Sequence, residues 1–273
     1  MKVNEIAVFA AAAALCTTAL AGTDDIKASN NQLEIQAIST RVDYKETNDG
    51  RFGTRTGKLD TENGNVPGFA LSFSMMKDDW LDNEYFQYQY SKNDGHTGYT
   101  GSHRGGTFGS VTTDSSATIT DYSLRLGKGF AIDGEFMITP YGELGHHEWQ
   151  RGVNTGETYT HSWYGAGTLV QYSPFSRLVF TANALAGRTF AADIDVNGSL
   201  GFTGSLGNSN LYKAGLSTDY AFTKKFHGNV GVDYTSFKYG GSATHRVAVG
   251  WVAWEPESQT EYTTLKIGVG YAF

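Results

Sequence analysis

The last nine residues, 265–273 (LKIGVGYAF), restrict this chain more than any other stretch. Leu265, Ile267, Val269, Tyr271 and Phe273 alternate with Lys266, Gly268, Gly270 and Ala272. Successive side chains of a β-strand point to opposite faces, so this segment has one wholly apolar face and one that is small or charged. Such a strand suits a sheet with lipid on one side and a narrow interior on the other.

The beginning of the chain points the same way. Lys2 supplies a positive charge, residues 6–20 form an apolar stretch, and Ala19-Leu20-Ala21 has the small residues of a cleavage site. The apolar run is shorter than the roughly 20 residues of a membrane helix. Residues 1–21 are therefore expected to be a cleaved export signal. Cys16 is the only cysteine, and the residue before it is Leu15, where a lipoprotein signal has a small residue. Without Cys16 the exported chain can form no disulfide, and a closed hydrogen-bonded barrel would have to hold it together.

Composition agrees with a barrel once its periodicity is considered. Mean hydropathy is only −0.35, with 34 glycines. In a barrel, however, only every second residue of a strand meets lipid, so the mean conceals the membrane. A net charge of −7 argues against a nucleic-acid partner.

From residue 33 onward, runs of alternating polarity are separated by polar turns, and about ten runs can be traced. Phe69, Leu71, Phe73 and Met75 oppose Ala70, Ser72 and Ser74; Tyr122, Leu124 and Leu126 oppose Asp121, Ser123 and Arg125. Tyr212, Ala214, Leu216 and Tyr220 likewise oppose Lys213, Gly215, Ser217 and Asp219. The first run, 33–44, is the least regular and is expected to hold a bulge. Connections at 78–83, 128–135, 173–176 and 223–225 are short; those at 45–66, 92–115, 190–208 and 239–259 are long and polar. Barrels of the outer membrane have short periplasmic turns, long external loops and both termini in the periplasm. The fold expected is thus an all-β, antiparallel up-and-down transmembrane barrel of about ten strands over residues 33–273. Residues 22–32 are expected to form a short periplasmic segment before it.

Residues 121–130 (DYSLRLGKGF), 138–149 (ITPYGELGHHEW) and 265–273 resemble strands of small opacity-protein or OmpA-type outer-membrane barrels. The closing residues Leu265, Ile267, Val269, Tyr271 and Phe273 are similar to the signal by which such barrels are recognised and inserted. The resemblance implies outer-membrane lipid, lipopolysaccharide and the barrel assembly machinery as partners, and a monomer. It implies no cofactor. It specifies architecture rather than activity, because this fold carries adhesins, narrow channels, lipid-modifying enzymes and proteases.

Three groups of residues are candidates for chemistry. On the assigned faces Asp121, Arg125, Glu143, Lys213, Asp219, Asp233 and Lys266 all point into the lumen. Acids and bases confined in so narrow a space must pair, as a plug or as the lining of an ion-selective pore. Arg125 and Glu143 fall at similar depth on neighbouring runs and are the expected pair. Barrels of about eight strands are just filled by side chains, so ten leave little bore.

The histidines are the second group. A hairpin turning near Asn154–Thr155 places His147 close to His161, with His146 and Glu148 beside them. Two imidazoles and a carboxylate at cross-strand spacing can share a metal or exchange protons. The plainer expectation is that these histidines, with Trp149 and Trp163, belong to the interfacial aromatic girdle, and no metal is assigned.

Two enzyme families of this architecture are not supported. Lipid A deacylases carry His-x-Ser-Asn, whereas Thr160-His161-Ser162-Trp163 places serine directly after histidine. Omptin proteases set an acidic pair opposite an Asp–His pair, and here Asp78-Asp79 falls on a short turn. No catalytic residue is assigned, and the chain is expected not to be an enzyme.

The long connections are the third group, because loops on a rigid scaffold carry binding functions. The first holds Arg51, Arg55 and Lys58 among Asp49, Asp60 and Glu62; the second holds His96, His103 and Arg104. Trp251 and Trp254, with Val247, Val249 and Val252, are more apolar than an outer loop requires. They are expected to extend a hairpin above the membrane or to contact a partner. Three functions stay open: a structural or adhesin-like surface protein, a narrow channel, and, least supported, a hydrolase with its site at the outer rim.

Overall fold

Alternation of polarity is realised over almost the whole chain. The computed structural model describes residues 22–48, 50–51, 56–78, 82–102 and 106–273. The leader expected at 1–21 lies outside the described residues, as do Asp49, Arg55, Asp79, His103 and Arg104. A short helix, α1 (Thr23–Ser29), precedes β1 (Gln32–Asn48), β2 (Gly57–Lys77), β3 (Glu84–Gly101) and β4 (Val111–Lys128). Then come β5 (Phe130–Ala131), β6 (Phe136–Arg151), β7 (Glu157–Phe175), β8 (Leu178–Val196) and β9 (Phe202–Ser205). The chain finishes with β10 (Asn210–Ala221), β11 (Phe226–Tyr239), β12 (His245–Ala248), β13 (Trp251–Ala253) and β14 (Glu257–Ala272).

Ten long strands close an antiparallel barrel. Each pairs with the next long strand in the chain, β8 reaching β10 directly, and β14 returns to β1. Closure leaves the wall no free edge at membrane height, where no water could satisfy one. The closing strand is held from both sides, Leu265 pairing with Ser39 on β1 and with Val232 on β11. Phe273 stacks on Phe73 with ring centres 5.6 Å apart.

The outer face carries a continuous apolar belt. Leu33, Ile35, Leu71, Leu126, Leu144, Leu216, Val230 and Ile267 are all exposed on it. Charge returns above the belt, where Arg41 pairs with Asp43 on the outer face of β1 at 2.8 Å. Strands of 16 to 21 residues such as β14 and β2 are much longer than the ~9–11 residues a tilted span needs. The surplus rises at the end opposite the chain termini as a polar collar.

This collar corrects two sequence expectations. Most of the residues assigned to long loops are barrel wall: β1 runs to Asn48 and β2 starts at Gly57, while β3 and β4 remain paired out to Gly101 and Val111. Thr, Ser, Gly and Asp dominate these stretches because both faces of a collar strand are wet or hydrogen-bonded, so the composition imitates a loop. The bulge expected within 33–44 is instead at Glu46/Thr47; below it the β1–β2 register is unbroken.

The other end is stoppered. Within residues 22–32, α1 tucks under the wall, Ile26 is fully buried, and β1 already begins at Gln32. Asn30 Nδ2 donates to Gln171 Oε1 at 2.7 Å inside the barrel. Lys27 pairs with Asp78 at 2.9 Å, tying the helix to the β2–β3 turn.

Candidate functional site

Every charge that alternation aims inward has a partner, and the partners form layers across the lumen. Lowest is the pair of Asp219 and His227, Nδ1 to Oδ1 2.6 Å, with Gln32 donating to the second Asp219 oxygen. Lys266 on β14 donates to Asp233 on β11 at 2.6 Å. These two residues are offset by two positions from direct opposition, a spacing a lysine spans easily.

The middle layer centres on Glu143, whose side chain is fully buried. Arg125 Nε donates to one of its oxygens at 2.5 Å. Lys213 Nζ and Trp163 Nε1 donate to the other at 2.8 and 2.7 Å. Two cations on one buried carboxylate form a compact knot, and Arg125 extends it to Gln87 at 3.1 Å. Trp163 fits only because Gly145 faces it, since a Cβ at Gly145 would overlap the indole.

Above this knot, Asp121 Oδ1 accepts from His147 Nδ1 at 2.8 Å. His161 Nδ1 meets Tyr239 Oη at 2.7 Å. The β6–β7 hairpin sets His147 directly opposite His161, with ring centres 4.9 Å apart. The placement of these side chains corrects the girdle expectation. His147, His161, Trp149 and Trp163 all point inward and are 0–2% exposed; only His146 faces out, stacked on Tyr122. Glu143, assigned to the lumen, shares its face of β6 with His147 and Trp149, so alternation already set both inside, whereas their aromatic character imitated a girdle. Among the described residues no group of three or more His, Cys, Asp or Glu side chains is arranged to hold a metal.

Two cavities of about 120 and 110 Å³ lie in the lumen, the lower the more polar of the two. The upper is bordered by His147, His161, Trp163 and Tyr262; the lower by Gln32, Glu34, Gln171 and Asn229. Arg125, Gln89, Asn183 and Asp233 border both. The two cavities therefore meet at the level of Arg125.

The mouth of the collar was not anticipated as a site. Arg151, at the last position of β6, is fully buried and bonds Glu62 at 2.8 Å and Glu157 at 3.0 Å, with Asp60 at 3.7 Å. Its guanidinium lies over the rings of Tyr44, Trp149 and Tyr159, 4.4 to 5.6 Å from their centres. Tyr159 Oη also contacts Tyr44 Oη at 3.1 Å and the carboxylate of Glu255, which arrives from the β13–β14 connection. Five acids, Glu46, Asp60, Glu62, Glu157 and Glu255, thus meet around one arginine.

Their protonation follows from burial. Glu255 is pushed up to about 8, by burial first and by the neighbouring Glu157 next. Burial, with Asp60 and Glu255 nearby, raises Glu46 well above the ordinary carboxylate range. Asp60 and Glu157 are also raised by burial, against the pull of Arg151. Arg151 stays charged: burial acts against it, and Glu62 with the surrounding acids and phenols outweighs burial. The sequence signal was present, since Arg151 and Glu157 flank a five-residue hairpin turn, but Asp60 and Glu62 had been assigned to a loop.

The remaining candidates are peripheral. Trp251 is half exposed and Val249 is 92% exposed at the tip of the β12–β13 hairpin. Trp251 opens β13 of this hairpin, and Trp254 directly follows the strand.

No protein-family model matches the chain, and no curated relative matches it. Among solved structures, the outer-membrane protease OmpT from Escherichia coli is similar, with a TM-score of 0.56 and 8% identity over 90% of this chain and 98% of that one. OprG from Pseudomonas aeruginosa matches with a TM-score of 0.41 and 13% identity, covering 89% of this chain and 96% of its own. Ail of Yersinia pestis, in complex with the heparin analogue sucrose octasulfate, gives 0.32 and 12%, covering 89% and 99%. The likeness to OmpT is one of fold: the chain has the architecture of a small outer-membrane β-barrel. An Asp-x-His triplet, Asp94-Gly95-His96, lies on β3. Both side chains stand exposed on β3, outside the lumen, and Asp94 accepts from Thr118 at 2.8 Å.

Proposed function

We propose that this protein is an integral barrel of the bacterial outer membrane with a structural or surface-interaction role carried by its collar and upper hairpin. The single observation behind this reading is the combination of a lumen crossed by paired charges with a wall that continues far above the apolar belt. A wall built for passage would keep its bore open, whereas this one is crossed at Glu143 and stoppered at both ends. The polar collar instead offers a rigid external surface, in the manner of opacity-type adhesins. In this orientation both termini are periplasmic. Outer-membrane lipid and lipopolysaccharide surround the belt, the assembly machinery reads the closing strand, and the external ligand is unassigned.

The narrow-channel reading has one observation in its favour, the two adjoining cavities in the lumen. Planar-bilayer recording separates the two: purified protein is expected to show little steady conductance, and clear ohmic channels would favour passage. Sidedness is tested on intact cells with a membrane-impermeant thiol reagent. Cysteines at Ser102 and Ser205 are expected to label and one at Ser176 to remain silent; labelling at Ser176 alone would invert the orientation.

Assembly gives a further expected result. Phe273→Ser removes the terminal ring that stacks on Phe73. The precursor should be exported but accumulate unfolded in the periplasm, seen as loss of the heat-modifiable band on unboiled gels. An undiminished folded band would remove the insertion role of residues 265–273.

A further inference from the structure

The collar's mouth is crossed by a segment that is not part of the barrel wall. Between β11 and β14 the chain leaves the sheet at a bridge from Gly240 to Gly207, forms the β12–β13 hairpin and returns at Glu257. The base of this strap is cross-tied: Ser242 N donates to Glu255 O, and Glu255 N to Ser242 Oγ, both at 2.8 Å. Arg51, from the β1–β2 connection, donates to Ser242 O at 2.7 Å. Ser242 and Glu255 are 2% and 5% exposed, so the strap's base sits inside the mouth and its hairpin stands outside.

One side chain joins the strap to the plug below. Glu255 is bonded to Tyr159 Oη, the same oxygen that accepts from Arg151 Nη1 at 3.2 Å and meets Tyr44 Oη. Tyr44 in turn reaches Glu46 at 3.2 Å. The latch, the aromatic plug and the arginine therefore form one hydrogen-bonded unit with Tyr159 at its centre.

We infer that the strap is a lid on the barrel mouth, latched by Glu255 and released as the carboxyl groups around Arg151 ionise. The balance of charge supplies the force. β1 contributes Glu46 and the neutral phenol of Tyr44; β2 contributes Asp60 and Glu62; β3 contributes the phenol of Tyr99. Arg151 comes from β6, Glu157 and Tyr159 from β7, the phenol of Tyr239 from β11, and Glu255 from the strap itself. Arg151 is the cation within this set, and Arg51 brings a second cation to the strap's base. While Glu255 keeps its proton it is a neutral partner for Tyr159; ionised, it faces Glu157 and Glu46 in a dry pocket.

The sign follows from the raised protonation of Glu255. A group that holds its proton more tightly in the closed state favours closure fully below its ordinary value, and that preference is lost as pH rises toward the closed-state value. Closure is thus strongest near pH 4.5 and fades up to about 8. Each such carboxyl weakens it by about tenfold per pH unit within that window. Glu46, raised in the same direction, sharpens the response. Release opens the mouth and not the whole lumen, since the Arg125–Glu143–Lys213 layer lies below.

The test uses full-length protein purified from membranes on a Cys16→Ala background. Ser258→Cys reports the mouth, because Ser258 is 5% exposed and its hydroxyl has no hydrogen-bond partner to lose. Ser205→Cys on the exposed collar corrects for thiol ionisation, and Ser217→Cys reports the lower cavity. The rate of labelling by a small charged thiosulfonate at Ser258→Cys, divided by that at Ser205→Cys, is expected to rise at least tenfold from pH 5 to 8. Glu255→Gln, whose latch cannot ionise, is expected to flatten most of that rise, and Ser217→Cys is expected to stay unlabelled throughout. A flat ratio in the parent, or a full rise retained in both Glu255→Gln and Glu46→Gln, would overturn the lid. If Glu255→Gln loses the folded band, Glu46→Gln decides alone by the same ratio. The outcome is independent of conductance and of labelling on cells, so it stands or falls apart from the surface role.

Discussion

Arg125→Ala is expected to lower the unfolding midpoint markedly, with a loss of roughly 3–5 kcal/mol, the typical result of removing one member of a buried ion pair. Glu143 has no exposed side-chain surface and Arg125 only 13%, so water cannot replace the lost partner. The geometry adds a ranking. Glu143→Ala should cost more than Arg125→Ala, because it strands two cations, Arg125 and Lys213, and leaves the Trp163 indole without its acceptor. The double variant should recover part of the loss, because neither charge of the pair is then stranded. Recovery is incomplete because Lys213 keeps no carboxylate, and adding Lys213→Met should return more. Urea titration of the heat-modifiable fraction measures all of these. Variants as stable as the parent would mean a hydrated lumen, and together with ohmic conductance they would transfer the protein to the channel class.

The parts of this layer were legible in the sequence because alternation alone decides which side chains face inward. Arg125 and Glu143 differ in depth by nothing once the β4–β6 turn is placed, and the register sets them directly opposite. Lys213 was named as a lumen charge but not as their partner, since it reaches across the barrel from β10. Contacts across a lumen depend on curvature and bore, and neither is written in strand periodicity. Belt and closing strand were equally legible, since lipid imposes a strict two-residue rule on both.

The collar and its mouth were not. Above the membrane the outer face meets water, so the rule that separates apolar from polar positions lapses. Thr61 and Asn63 outside differ little in character from Asp60 and Glu62 inside. Buried acids compounded the difficulty, since Asp60, Glu62 and Glu157 look like solvated loop charges until Arg151 is found among them. The histidines show the same limit in another form. His147 shares its face with Glu143, so alternation places it inside, but the ring-rich run 146–149 has the composition of an interfacial girdle.

Arg151→Met is expected to have the largest effect of any single change at the mouth, and its pH dependence identifies the cause. The side chain has no exposed surface and is bonded to Glu62 and Glu157. Methionine can occupy the space between Tyr44, Trp149 and Tyr159, so packing is largely retained and the lost charge dominates. At neutral pH the loss should reach roughly 3–5 kcal/mol, since several carboxylates are left without a counter-charge. Acid should relieve it. Glu255, Glu46, Asp60 and Glu157 already hold their protons more tightly than free carboxyls, and removing the arginine raises them further. Carboxyls raised in the folded state stabilise it fully below their ordinary value near 4.5 and lose that contribution as pH rises through the folded value. Parent protein should therefore lose mouth stability gently from pH 5 to 8, and Arg151→Met should lose it more steeply from a similar starting point near pH 5. Proteolytic nicking of the collar, followed across that range beside urea midpoints, reads both. A deficit of equal size at pH 5 and pH 8 would mean that Arg151 acts by filling space between the rings, and the electrostatic account of the mouth would have to be abandoned.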